Sequence, residues 1–461
     1  MSGTFSSLSG ALSALRYNRV AMDVASSNVA NANTEGYTRR VAIAQAVGAP
    51  AAPALWSRWN GSAGGVEVGG IERMVDPLLD ARSRTEHGSL SYLSTRASSL
   101  VRLETTLGEP GDNGVAAALS AFKQGWGDVA NNPADEAARS QLLGRAETLR
   151  ASISSQARSV ATEWADQRTR LDTVAAEINT VAADLAELNR GLRSAHLAGT
   201  DAGTLLDQRD QLTLRLAQLT GATVHPNDDT TVDVTVDGIA LVTASPDSVN
   251  TVQVSGALTM SGASGSPVTL SLGGSPLPPP GATLKGELGA SHDLLTRDLP
   301  GYQAKLDAFV ADLVAQTNAQ HQAGADLDGN TNVPFFSGTT AADLAVAVTD
   351  PRAVAAATPG QGTLDASNAD ALFAMDLGAK TYRSLVTEFG VTVSSARRVA
   401  DNQTVLTAQV DASRESLAGV NIDEEMVNLL AAQRAYEGAA RVITAIDSVL
   451  DTLINRTGLM R

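Results

Sequence analysis

Residues 142–192 read LLGRAETLRASISSQARSVATEWADQRTRLDTVAAEINTVAADLAELNRGL, and this stretch decides the architecture. Leu142, Ala146, Leu149, Ile153, Ala157, Val160, Trp164, Gln167, Leu171, Val174, Ile178, Val181, Leu185, Leu188 and Leu192 recur at steps of three and four. That spacing puts them on one face of an α-helix. A helix of this length, at about 1.5 Å per residue, is ~80 Å long. Such an element builds rods and columns rather than a compact pocket. Its apolar stripe is ordinary core-facing surface, so a body of long bundled helices is expected around it.

The same spacing continues on the N-terminal side. Leu79, Leu90, Leu93, Ala97, Leu100, Leu103 and Leu107 mark a second helix. Leu119, Phe122 and Trp126 mark a third, closed by Asn131-Asn132-Pro133. After Gly221 the period changes. Thr231-Val232-Asp233-Val234-Thr235-Val236-Asp237-Gly238 alternates at two and ends on an Asp-Gly turn. Val252, Val254, Leu258, Val268, Leu270 and Leu272 extend the β pattern, which Pro278-Pro279-Pro280-Gly281 closes. Residues 222–285 therefore read as a small inserted β domain, expected to be peripheral. Helices resume near residue 293, loosen over 323–368 and run to the C-terminus. The expected fold is mainly α with an inserted small β domain, a long-helix bundle body, and terminal helices pairing as a coiled coil. The expected domains are 1–45 with 410–461, 46–221 with 286–409, and 222–285.

The two ends carry a narrower signal. Leu8, Leu15, Met22 and Val29 recur every seven residues, with Ala11, Asn18, Ala25 and Ala32 in the alternate row. Ile422, Leu429, Tyr436, Ile443 and Leu450 do the same near the C-terminus, flanked by Met426, Ala440 and Ile454. A seven-residue repeat keeps one seam toward a partner helix. One helix pair standing alone is marginal, so these ends are expected to be loosely structured in an isolated chain and to become rigid on assembly. The N-terminal helix should stop at Asn31-Ala32-Asn33-Thr34-Glu35-Gly36-Tyr37, where Asn and Gly tolerate positive φ. Val41, Ile43 and Val47 then read as extended, followed by a loop of Ala, Pro, Gly and Trp over 48–65. Val66, Val68 and Ile71 form a short strand.

Composition excludes several classes. Lys and Arg number 34 against 50 Asp and Glu, a formal charge of −16, which disfavours nucleic acid and anionic membrane surfaces. No apolar run reaches the length of a membrane span. The absence of cysteine excludes disulfides and thiolate metal sites. Aromatics at 4% favour Ala/Leu/Val helix seams over a bulky enzyme-like core. Met1 to Ser9 has no basic region of a cleaved signal, which fits a cytoplasmic chain or one exported uncleaved. No catalytic, cofactor or metal site is expected. His87, His196, His225, His292 and His321 are scattered, and each is expected to be solvated or capping. Asp326-Leu327-Asp328-Gly329-Asn330 opens like a calcium loop, but its glycine comes at the wrong position, and an ordinary turn is expected.

Ser27-Asn28-Val29-Ala30-Asn31-Ala32-Asn33-Thr34-Glu35-Gly36-Tyr37 resembles the N-terminal signature of bacterial flagellar rod, hook and hook-associated proteins. Thr38-Arg39-Arg40 is similar to the continuation in hook-associated members, whose usual pattern ends in Arg-Gln. Gly65-Val66-Glu67-Val68, Ile71-Glu72-Arg73 and Asp76-Pro77-Leu78-Leu79 resemble the next block. So do Leu205-Leu206-Asp207-Gln208-Arg209-Asp210, Leu299 to Asp307, Asn318 to Phe336, and Gly419-Val420-Asn421-Ile422 through Tyr436.

The resemblance implies a thin ring of identical subunits joining hook to filament, a homo-oligomer next to hook protein and hook-associated protein 3. It implies extracellular location in the flagellum after type III export, with the export chaperone FlgN holding the C-terminal helix beforehand. It gives Leu8, Leu15, Met22 and Val29 the role of packing against Ile422, Met426, Leu429, Tyr436, Ile443, Leu450 and Ile454 and against neighbouring subunits. Asn28, Asn31, Asn33, Gly36 and Tyr37 are the matching motif residues, and Asn31, Asn33 and Gly36 would end the inner helix. Two alternatives remain. One is a hook or distal-rod protein, whose body would be mainly β. The other is a secreted adhesin or enzyme with its site in the insert, where His225, Asp228 and Asp229 lack a nucleophile.

Overall fold

The computed structural model describes residues 2–46, 65–109, 111–277 and 284–452, with the backbone alone for 2–6. Most of the loop expected at 48–65, the Pro278–Gly281 stop and Ile454 lie outside the described residues. Helix α1 (Ser2–Ala30) leads into a hairpin of β1 (Arg40–Ala46) and β2 (Val66–Arg73), antiparallel with a bulge at Ile43/Ala44. Three helices follow: α2 (Pro77–Leu107), α3 (Val115–Asn131) and α4 (Glu136–Ala198). Next comes α5 (Gly203–Thr220), then two small sheets. The first orders β3 (Thr223–Pro226), β4 (Val232–Val236), β5 (Ile239–Ala244) and β6 (Asp247–Val249) side by side. The second comprises β7 (Val252–Ser255), β8 (Thr269–Leu272) and β9 (Ser275–Pro276). After α6 (Gly286–Asp293), a π-helical turn at Leu294–Asp298 leads into α7 (Leu299–Ala323). A lobe with β10 (Phe336–Ser337) and β11 (Ala345–Val346) precedes α8 (Ser367–Ala374), α9 (Ala379–Ala418) and α10 (Ile422–Asp451).

Of the described residues 66% are helical, so the mainly α fold with small sheets is as expected. Helix α4 exceeds the periodic stretch, because Asp135 caps its start by accepting the Ala137 N–H and Gly199 stops it in the left-handed region. Its 63 residues span about 95 Å. Leu142, Leu149, Ile153, Val160, Trp164, Leu171, Ile178, Leu185 and Leu192 have no exposed surface. Each contributes about 1.5–3 kcal/mol on full burial, so the stripe as a whole dominates the packing of the body. Trp164 Nε1 donates to the Leu295 carbonyl at 2.9 Å, fastening α4 to the π turn.

The sheets of 222–285 do not stand apart from the helical body but share its core. Val232, Val234, Leu241, Val242, Val252, Leu270 and Leu272 join Leu171, Val174, Ile178, Val181 and Leu185 in one continuous core. Two asparagines on α4 stand in for strand partners. Asn189 donates to the Val232 carbonyl at 2.9 Å and accepts its N–H at 3.1 Å. Asn179 does the same with Val252, at 3.0 and 2.7 Å. A period-two strand needs one face covered, and here α4 covers it. Helices α2 and α9 run antiparallel alongside. Gly88 of α2 meets α5 so closely that a Cβ there would lie 2.7 Å from the Ala217 carbonyl oxygen.

Two histidines also depart from expectation. His321 has no exposed surface and His292 only 5%, because both find backbone carbonyls that satisfy a buried ring nitrogen. The Asp326 turn is as the sequence suggests: its carboxylate accepts the N–H groups of Asp328 and Asn330 and the Asn330 side-chain amide.

Candidate assembly interface

Helix α10 begins where Asn421 accepts the N–H groups of Asp423 and Glu424, with three carboxylates in its first turn to complement the helix dipole. It runs antiparallel to α1, so the end of α1 meets the start of α10. Ala21, Val24 and Ala25 of α1 and Ala431, Ala432 and Ala435 of α10 line a shared cavity of about 400 Å³. Ala11, Val24, Ala25 and Asn28 are buried on α1, and Glu425 and Ala432 on α10. The alternate row that contains Ala11 and Ala25 is thus the inner one. Leu8, Leu15, Met22 and Val29 are half-buried, as are Leu429, Ile443 and Leu450. Ile422, Met426 and Tyr436 stay exposed at 46%, 45% and 37%. Val427, Leu430, Val442 and Val449 are exposed on the same helix.

Asn28 is the polar centre of the pair. It donates to the Arg40 carbonyl at 2.9 Å and to Glu425 Oε2 at 2.8 Å. It accepts from the Tyr37 hydroxyl at 2.9 Å and the Arg40 N–H at 3.1 Å. Arg39 Nε donates to the other Glu425 oxygen at 2.9 Å, and the Arg39 N–H bonds the Ala418 carbonyl before α10. A buried carboxylate is stable only when paired and hydrogen-bonded, and Glu425 is both. Asn31 folds its amide back onto the Ser27 carbonyl at 2.9 Å, where its own backbone N–H also donates at 3.0 Å. Asn33 is exposed. Gly36 has φ +77°, and a Cβ there would lie 2.0 Å from the Gln211 amide, which donates to the Glu35 carbonyl. The Arg40 guanidinium stands 5.1 Å over the Tyr37 ring.

The hairpin then joins the helical body through ion pairs. Arg40 pairs with Asp207 Oδ2 at 2.9 Å, while Arg73 reaches Asp207 Oδ1 at 2.9 Å and Asp210 Oδ2 at 2.7 Å. Arg209 pairs with Asp210 at 2.8 Å and donates to the Thr230 carbonyl of the insert. Burial pushes the Asp210 carboxyl up, but Arg209 and Arg73 overcome it and hold the group below the usual carboxylate range. Asp207 Oδ1 faces Arg73 off hydrogen-bond geometry, so that contact is Coulombic. A cavity of about 480 Å³ opens beside this joint between residues 32–38, α5 and the end of α9.

The structure therefore brings Asn28, Asn31, Gly36 and Tyr37 to one place and leaves Asn33 in solvent. The Asp207–Asp210 block, Arg40, Arg73 and Glu425 all lie in the family-like stretches of the sequence, which gave none of them a role. Carboxylates in an otherwise helix-forming block, and Arg at both ends of a hairpin, were the available signals. Among the described residues no group of three His, Cys, Asp or Glu is arranged to hold a metal ion, and no helix is long and apolar enough to cross a membrane.

Comparison with known proteins follows the same division of the chain. Residues 8–38 match the family model "Flagella basal body rod protein", and residues 415–456 match "Flagellar basal body rod FlgEFG protein C-terminal". Residues 100–336 match "Flagellar hook-associated protein FlgK helical domain". Flagellar hook-associated protein 1 of Bacillus subtilis (strain 168) is 27% identical, the alignment covering 100% of this chain and 99% of that one. The Salmonella typhimurium protein of the same name is 24% identical over 96% of this chain and 98% of its own. The flagellar hook junction protein FlgK from Burkholderia pseudomallei shares the fold, with a TM-score of 0.66 at 16% identity, over 73% of this chain and 100% of that chain. With the helical-domain model spanning just over half of the sequence, the chain belongs to the family of the flagellar hook-associated protein FlgK.

Proposed function

We propose that the chain is a structural subunit of the bacterial flagellum that forms the hook–filament junction through its terminal helices. The observation that carries this reading is the uncovered apolar face of α10, where Ile422, Met426, Val427 and Leu430 remain exposed while α1 covers the opposite side. A stable surface rarely leaves so many large apolar residues on one helix unless another molecule covers them. Copies of this chain cover that face in a ring, with hook protein on one side and hook-associated protein 3 on the other. Before export, FlgN holds the same helix. Leu8, Leu15, Met22, Val29, Leu429, Tyr436, Ile443, Leu450 and Ile454 complete the seams between subunits. Terminal helices form the inner unit, the long-helix body surrounds it, and the sheets of the insert face outward. The assembled protein is extracellular, a location reached by type III export, and its role is structural. A hook or distal-rod protein would have a body mainly of strands, which does not fit described residues that are 66% helical.

The test is a Met426→Asp, Leu430→Asp variant. Both side chains are about half exposed, at 45% and 51%, so the isolated protein should melt within about 0.5–1 kcal/mol of the parent. Incorporation into flagella and swimming should be lost. A motile strain with normal filaments would sink the proposal.

A further inference from the structure

Helix α7 ends on a histidine for which the assembly reading has no use. His321 is wholly buried, its ring 6.0 Å from Trp126 and 5.3 Å from Phe335 between centroids. Backbone groups engage both ring nitrogens. Nδ1 lies 2.7 Å from the Val333 carbonyl oxygen, a contact that requires an N–H on that nitrogen. Nε2 accepts the Ala355 N–H at 2.9 Å, which requires a lone pair there. Together they fix one neutral tautomer. Val333 and Ala355 belong to opposite ends of the lobe 324–357, which also delivers Phe335 and Phe336 to the core around Phe122 and Trp126.

We propose that His321 is a proton-operated latch on this lobe: neutral, it ties Val333 and Ala355 to the end of α7, and protonated it releases them. Uptake of one solvent proton at Nε2 turns an acceptor into a donor that points at the Ala355 N–H, and the two donors repel. No covalent bond changes. The charged groups facing the ring are Asp326, from the loop after α7, and Arg139, from α4. Helix α3 presents Trp126, and the lobe itself presents Phe335 and the Ala355 amide. Burial holds the imidazole below the ordinary histidine range, outweighing the Val333 carbonyl and the Asp326 carboxylate that act the other way. Because the folded value lies below the unfolded 6.5, the latch contributes fully above that pH. Its contribution is lost as the pH falls from there through the depressed folded value. Within that window opening of the lobe should rise about tenfold per pH unit.

The test is amide hydrogen exchange on the full chain from about pH 7.5 to about pH 5, corrected for intrinsic rates. Protection over 324–357 should fall about tenfold per unit inside the window, while α4 over 142–171 stays protected. His321→Gln, which does not titrate there, should lose the dependence. The same dependence in both proteins overturns the proposal. A second measurement does not need the variant to fold: side-chain NMR of His321 in the parent. Titration of the ring in step with lobe opening supports the latch. A ring that titrates without lobe opening, or a lobe that opens around a neutral ring, overturns it.

Discussion

Asn28→Ala would remove the four hydrogen bonds that hold the end of α1 to the start of α10. Three of them are neutral: to the Arg40 carbonyl, from the Arg40 N–H and from the Tyr37 hydroxyl, at 2.9, 3.1 and 2.9 Å. Each contributes about 1 kcal/mol net, and the fourth, to the Glu425 carboxylate at 2.8 Å, about 1.5–3 kcal/mol. Glu425 keeps Arg39, and water can enter the space left by the amide, so the loss should be about 3–5 kcal/mol rather than more. That is about two to four orders of magnitude in local opening. Because the bonds lie outside the continuous core of the body, the effect should be local. Hydrogen exchange read by peptide should show α1 residues 25–31 and α10 residues 422–436 opening faster, with α4 unchanged. A change below about tenfold at those ends, or one spread equally over α4, would refute the assignment of Asn28 as the hub.

Asp207→Asn leaves Arg40 and the half-buried Arg73 short of a charge partner, and should cost about 3 kcal/mol at the joint. Limited proteolysis should then cleave residues 31–40 faster; unchanged cleavage counts against the joint. Deleting 223–276 should uncover Leu171, Val174, Ile178, Val181 and Leu185 on α4 and yield an aggregating protein. A soluble monomer with α4 fully protected would show the insert to be dispensable after all. Burial and the 2.5 Å bond to Asp293 push the Tyr92 hydroxyl up from 10.0 to about 12. Its contribution is complete below pH 10.0 and lost as the pH rises through about 12, so Tyr92→Phe should flatten the alkaline limb of the stability profile. Coincident alkaline limbs would disprove that role.

Most of the helical body was legible because its signals are local. The stripe from Leu142 to Leu192 needs only neighbours three and four residues away, and Asp76, Asp135, Gly108 and Gly199 mark helix ends within one turn. The strands were equally plain, since Val232, Val234 and Val236 alternate. What covers them was not, because Asn189 and Asn179 look like polar interruptions of a helix until a strand lies beside them. The terminal seam was legible only in part. Large residues every seven positions drew attention to Leu15 and Met22, while the residues buried on the two helices include the small Ala25 and Ala432 and the polar Asn28 and Glu425.

Sequence by itself determined the long helices and the period-two strand at Val232–Val236, that the chain is acidic and free of thiols, and that its ends carry surplus apolar surface. Tertiary structure alone decided which polar residues meet. Asn28 and Glu425 stand 397 positions apart, and Arg40 and Asp207 stand 167 apart. It also decided that His321 is a buried double hydrogen bonder rather than a solvated side chain. The physical reason is that periodicity is written between near neighbours, whereas satisfying a buried polar group depends on whatever the whole fold brings to it.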